Sequence, residues 1–426
     1  MLQKEKTALQ KAYDALNPNQ PLEHNDPRLV RALFGDFFDS VRDRLLLGKS
    51  HRAKLLLSGH IGCGKSTLLN VVECDEEIRR AFMVVRCSIK DFVEPNELDH
   101  IDLLLALALT AVDTAFQGGV KLDTAAAKKV RELYSELRGL VLRERQTDTS
   151  RKASLSAEAG VGIPKAIGWL SADFRSEYQI QGEYRDSVRK YFKPRLSDFI
   201  NTINSLLDSI TARLGCKELL ILVDDSDKPM AETSRKLFYE YGSQLAQPKA
   251  SIVYVVDTSV SCFRDFAAIS NKLGGEEFFP GVIVQPVGDT PGTPKEQVLC
   301  QVLSERVSDA VIPEDCRLML ARLSGGVVRE LLRLAQHAVF FGKGTVSRDS
   351  IERAAMKVFN SFNFSAADVA VLRAVLNDRD WHPATDDEEA TFFSLLRQPA
   401  VFQYRNGDRK WHRPYPVFIP WLQKLG

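Results

Sequence analysis

The stretch AKLLLSGHIGCGKST, residues 53–67, decides the fold. Its first half, residues 53–58, is a short apolar run that reads as a buried strand, and the spacing of apolar residues from Lys65 to about residue 74 is helical. Between them Gly59, Gly64, Lys65 and Ser66 complete the pattern G-x-x-x-x-G-K-S, with the strand before it and the helix after it that the pattern requires. Glycine suits such a loop because the backbone has to curl closely around a phosphate. The freed N–H groups and the helix N-terminus then point at phosphate oxygens.

The expected contacts to a nucleoside triphosphate are therefore Gly59, Gly62, Cys63, Gly64, Lys65, Ser66 and Thr67. Lys65 is placed to reach the β- and γ-phosphates and Ser66 to ligate Mg²⁺.

Working outward, further strands are expected at 82–87, 219–223, 251–256 and 282–285, separated by amphipathic helices. That alternation predicts a parallel sheet covered on both faces. In ELLILVDDSDKP, residues 218–229, Asp224 and Asp225 leave the C-terminal end of a buried strand, which is the ligand edge of an open α/β sheet. Two adjacent carboxylates there call for a cation, and Mg²⁺ is the expected one. Asp224 is read as the Mg²⁺ contact through water, and Asp225 as the group that polarises the attacking water. Its side chain is shorter than the more usual Glu, which predicts slow hydrolysis. In SIVYVVDTS, residues 251–259, Thr258 is the preferred residue to hold that water, with Asp257 the alternative and an ordinary strand-ending cap the plain one.

Residues 1–50 form an N-terminal helical segment broken at 17–27. The core spans 51–289, and periodicity lapses at about 148–182, a connecting loop or insertion, or else an oligomer contact or sensing surface. Strand signals stop near 290, and four helical segments across 290–362 read as a helical lid. Residues 363–426 carry two helices and then a hairpin with its turn at Asn406-Gly407, a winged-helix-like domain. Arg405, Arg409, Lys410 and Arg413, interleaved with Tyr404, Trp411 and Tyr415, could contact DNA from that wing.

With 57 Lys plus Arg against 56 Asp plus Glu, no global basic field exists to gather nucleic acid. The start of the chain lacks the pattern of a secretory signal, and the richest apolar run, 103–112, reads as a buried helix, not a membrane span. Seven cysteines without close pairs argue against disulfides and zinc, and for a cytoplasmic location.

Over about residues 30–360 the order of motifs resembles the AAA+ branch of the P-loop ATPases, near the origin-recognition and STAND-like bacterial ATPases. GHIGCGKST is similar to their Walker A segment and VDDSDK to a DDLDK-type Walker B segment, which carries over Asp224, Asp225 and Asp227 and, more weakly, Lys228. SGGVVRELLRLAQHA, residues 324–338, resembles the sensor 2 helix, in which Arg329 matches the arginine that reaches the nucleotide from the lid. The resemblance implies an ATP-binding, Mg²⁺-dependent ATPase that self-associates, with an arginine supplied by a neighbour. Arg264 is the first candidate for that arginine, followed by Arg235 and Arg306. It also implies control of a separate effector protein, as in anti-phage defence. A DNA-binding initiator or transposition regulator, and a non-catalytic scaffold with structural nucleotide, are the alternatives.

Overall fold

A computed structural model describes residues 2–146, 162–279, 281–284, 295–407 and 409–425. Its central sheet has five parallel strands: β1 (Lys54–Gly59), β2 (Phe82–Ser88), β3 (Glu218–Asp224), β4 (Ser251–Asp257) and β5 (Glu276–Phe278). They lie in the order β2-β3-β4-β1-β5, so the glycine loop and the acidic strand flank β4. All five strand ends that matter for ligand binding open at one edge.

Alternation within the strands assigns their two faces. Leu55, Leu57, Leu220, Leu222, Val253 and Val255 pack with the helices Gly35–Leu47 and Lys65–Cys74. Leu56, Ile221, Val223, Ile252 and Tyr254 face the larger core on the other side. The apolar run at 103–112 lies in the helix His100–Gln117, which has the length and apolarity of a membrane span but is the main core helix, with 78% of it buried inside the fold. Its buried Asp102 is held by Arg189 at 2.6 Å and by the Tyr178 hydroxyl at 2.5 Å. Tyr178 comes from within the aperiodic stretch and Arg189 from just after it.

Within 148–182 the structure replaces part of the expected connecting loop with helices and leaves the insertion reading as it stood. Residues 148–161 lie outside the described residues, but Ile163–Gly168, Trp169–Asp173 and Phe174–Ile180 are helical and bury Ile167, Leu170, Phe174 and Tyr178. Gly162 and Pro164 mark the start of these helices, not a continuing loop. A second correction concerns the fifth strand. It is Glu276–Phe278, while residues 281–284 are not a strand. Val282 instead bonds through its N–H to the Gly326 carbonyl at 3.1 Å, and the apolar residues there are buried under the lid.

Four helices, Lys295–Ser304, Glu314–Leu323, Val328–Phe341 and Arg348–Phe359, make up the segment expected to be a lid. The N-terminal helix Leu2–Ala15 packs on the third of them, where Gln336 donates to the Tyr13 carbonyl at 3.0 Å. The C-terminal part has helices Ala366–Asn377 and Asp386–Arg397, followed by an antiparallel hairpin of β6 (Val401–Asn406) and β7 (Arg409–Pro414). A five-stranded parallel sheet with helices on both faces, a helical segment after it and a tail of two helices and a hairpin make the fold α/β.

Candidate nucleotide site

The loop Gly59 to Lys65 leaves β1 through three positive-φ glycines, Gly59 at 155°, Gly62 at 88° and Gly64 at 112°. At Gly62 the need for glycine is doubled, because a Cβ there would lie 2.3 Å from Cβ of Arg329. Lys65 opens the following helix and is 4% exposed. Its ammonium donates to the carbonyls of Gly59 at 2.7 Å and His60 at 2.9 Å, and pairs with Asp227 at 2.9 Å. Burial opposes charge on Lys65, but Asp227, Cys63 and Asp257 together outweigh it and the pKa is raised. Asp227 answers in kind. Burial would raise its pKa, yet Lys65 and Lys228, the latter at 2.7 Å, hold it well below the carboxylate range.

The other two acids lie on the same side. Asp224 accepts from the Ser66 hydroxyl at 3.1 Å and from Arg86 at 2.5 Å. Asp225 has φ of 64°, a left-handed conformation that costs a non-glycine residue about 1–2 kcal/mol. The turn sends its carboxylate toward the end of β2, where the Ser88 hydroxyl donates at 2.9 Å and Lys90 pairs at 2.6 Å. The cation that adjacent carboxylates require is thus already present as Arg86 and Lys90. The oxygen donors themselves, Ser66 Oγ and Asp224, are of the hard type that suits Mg²⁺.

At the end of β4, Asp257 pairs in register with Gly59 and is fully buried. One carboxylate oxygen accepts from the N–H and hydroxyl of Ser259, and the other has no partner. Burial raises its pKa, and Lys65 is among the charges that act on it. Thr258 is also buried, with its hydroxyl unpartnered. Of the two, Asp257 is the one electrostatically joined to Lys65.

A cleft of ≈ 760 Å³, part of it open to solvent, runs from Gly62, Gly64, Lys65, Ser66 and Thr67 to the lid. Its lid wall includes Val302, Arg306, Arg329 and Leu332. The opposite wall comes from the N-terminal segment, with Pro21, Leu22, Leu29, Val30 and Leu33. That segment is tied to both sides. The Leu22 N–H donates to the Thr67 hydroxyl at 3.2 Å, and Arg306 donates to the Arg28 carbonyl at 3.2 Å. Burial lowers the Arg306 pKa to about 10. Sequence reasoning missed this wall: a Pro- and Asn-rich break reads as a connector until folding lays it across the loop.

The Arg329 N–H donates to the Gly62 carbonyl at 3.0 Å, and its side chain lies along Gly62 with Nε buried and unpartnered. The helix Val328–Phe341 therefore rests on the glycine loop itself. Among the arginines considered for a neighbour's site, Arg306 lines the chain's own cleft and Arg235 pairs with Asp265 at 2.7 Å. Arg264 is 60% exposed and held only loosely, 3.6 Å from Asp386 and 3.7 Å from Glu389.

The hairpin also reaches the loop. His60 Nε2 accepts from the Gln403 N–H at 2.7 Å, and Phe402 meets the imidazole edge-on at 5.3 Å. The Tyr404 hydroxyl donates to the Gly325 carbonyl at 2.8 Å, and the Tyr415 hydroxyl to Glu330 at 3.1 Å. Arg397 donates to the carbonyls of Lys228 and Pro229, just beyond the acidic strand. Three of the four wing residues considered for DNA are engaged within the chain. Arg405 pairs with Glu276 at 3.0 Å over the Phe278 ring, Lys410 donates to the Ser261 carbonyl at 3.1 Å, and Arg413 to the Leu376 carbonyl at 2.8 Å. Arg409 is exposed.

No protein-family model and no curated protein matches the sequence. Among solved structures the fold is similar to Cdc6p from Pyrobaculum aerophilum, at 10% identity, TM-score 0.36 and 97% coverage of each chain. The loop, the acids and the lid arginine carry the reading of this site by themselves.

Proposed function

We propose that the chain binds ATP in this cleft and hydrolyses it slowly, acting as a nucleotide-driven regulator. One observation carries the reading: the glycine loop, the carboxylates of β3 and the arginine of the lid meet at one sheet edge, with Ser66 and Asp224 3.1 Å apart. The apolar residues Leu29, Val30 and Leu33 suit the base, and the loop suits the phosphates.

Lys65 exchanges the Gly59 and His60 carbonyls and Asp227 for phosphate oxygens. Ser66 and Asp224 would hold Mg²⁺, which would supply neutralisation of phosphate charge. Asp225 orients the attacking water once it leaves Lys90, and Thr258 or Asp257 at the end of β4 holds that water. Arg329 pairs with the γ-phosphate and reports its loss to the lid. The Asp225–Lys90 and Asp225–Ser88 contacts support a slow enzyme, because the base starts out engaged.

Contacts of the lid at Gly62 and of the hairpin at His60 support a switch in which nucleotide state sets the positions of both. Such a switch would govern self-association, with exposed Arg264 offered to a neighbour, and through it a separate effector. Lys65→Ala is expected to weaken ATP binding at least about 100-fold by calorimetry, and Asp225→Ala to lower phosphate release at least about tenfold while ATP binding persists. Equal turnover by the Asp225→Ala protein would remove Asp225 from its role. Wild-type protein that ignores ATP and ADP altogether would end the reading.

A further inference from the structure

We propose that Arg86 is a resident competitor for the divalent metal, so that the cation reaches Asp224 only by displacing a guanidinium. The inference rests on the nucleotide reading above but concerns a residue to which that reading assigns no role. Arg86 stands on β2, the strand hydrogen-bonded to β3, with its register partner Leu222 two residues before Asp224. From there Nη2 reaches one Asp224 oxygen at 2.5 Å and lies 3.4 Å from the Ser66 carbonyl. The other Asp224 oxygen takes the Ser66 hydroxyl and the Asp225 N–H, the latter at 2.8 Å. Both oxygens of the expected metal ligand are therefore engaged before any metal arrives.

Arg86 is poorly suited to be only a surface counter-ion. Its side chain is 22% exposed, and its Nη1 is buried with no hydrogen-bond partner. An unpartnered guanidinium nitrogen is costly, and it is tolerated where a further acceptor is expected at the same site. A phosphate oxygen or a water beside the phosphates would supply that acceptor. Lys90 is the instructive neighbour: it pairs with Asp225, but its side chain is 55% exposed and strongly hydrated, so it yields easily. A divalent ion placed at Ser66 and Asp224 would sit next to the Arg86 charge in a partly buried setting, and repulsion lowers its affinity. Nucleotide can then load while the acids stay neutralised, and metal entry becomes a separate step.

The test is direct metal binding, followed by electron paramagnetic resonance of Mn²⁺ titrated into the full chain with bound ADP. Arg86→Gln is expected to tighten Mn²⁺ by about tenfold, Lys90→Gln to change it less than about twofold, and Asp224→Asn to abolish the bound signal. Wild-type affinity for ADP is expected to differ less than about threefold between EDTA and millimolar Mg²⁺. Unchanged or weaker Mn²⁺ binding by Arg86→Gln overturns the proposal. Should Arg86→Gln fail to fold, Arg86→Lys keeps the charge but not the planar fork, and it should fall between wild type and the tenfold gain; affinity at the wild-type value overturns the idea. Titration without ADP separates the two layers. Absence of ADP binding sinks the nucleotide reading, while the Mn²⁺ comparison of wild type and variant still decides the role of Arg86.

Discussion

The phosphate loop and the C-terminal hairpin are both short turns between regular elements, yet their residues behave in opposite ways. In the loop, residue types chosen for a charged ligand stand at the cleft, with Lys65 and Ser66 in its wall. In the hairpin, residue types that suit a charged ligand turn inward: Arg405, Lys410 and Arg413 are engaged with acids or carbonyls of the same chain. A loop motif constrains its own geometry within eight residues, so its environment is largely local. A basic residue on a strand carries no such constraint, and its partner is chosen by whatever the domain packs against.

The helix before the hairpin sharpens the contrast. Asp386–Arg397 begins with four acidic residues and buries Phe392, Phe393, Leu395 and Leu396. A helix with that first turn repels phosphate, and its last-turn Arg397 grips the Lys228 and Pro229 carbonyls. In this conformation the C-terminal part is clamped to the sheet domain.

The comparison can be broken most forcefully at Gly325, where lid and hairpin meet. Gly325 has φ of 65°, and a Cβ there would lie 2.1 Å from the Phe402 ring. Gly325→Ala is expected to cost about 3 kcal/mol in chemical denaturation, through overpacking and a disfavoured backbone conformation together. A loss below about 1 kcal/mol would mean that the hairpin is not firmly seated on the lid.

A smaller effect is expected from pH at His60. Burial lowers its pKa to about 4, against an ordinary value of 6.5. The unfolded chain therefore takes up a proton that the folded chain refuses. Stability contributed by neutral His60 is present above pH 6.5 and is lost as pH falls toward 4, by up to about 3 kcal/mol over that window. His60→Gln should flatten the wild-type slope between pH 6.5 and 5, where few carboxylates titrate. Parallel slopes for the two proteins would show that His60 is not buried in solution.

The smallest expected effect separates the basic residues of the hairpin. Arg405→Ala should cost about 1 kcal/mol, for a partly buried pair with Glu276 and its packing on Phe278, and Arg409→Ala less than about 0.5 kcal/mol. Equal losses would mean that Arg405 is as free as the sequence pattern suggests and that the wing is open to DNA.

Sequence alone determined the strand–loop–helix unit at 53–74, the strands β2, β3 and β4, the helices that follow the sheet and the hairpin turn. Each of these rests on short-range rules: glycine where φ is positive, apolar residues at the period of the element, and Asn-Gly at a tight turn. Tertiary structure decided what no local rule reaches. It laid the connector after the first helix along the cleft, moved the fifth strand to Glu276–Phe278, and folded part of the aperiodic segment into helices around Asp102. It also chose the counter-ions. Carboxylates at a strand end must be neutralised, but only the neighbouring strand could reveal that Arg86 and Lys90 do it, because charge pairs over distance in space and not over distance in sequence.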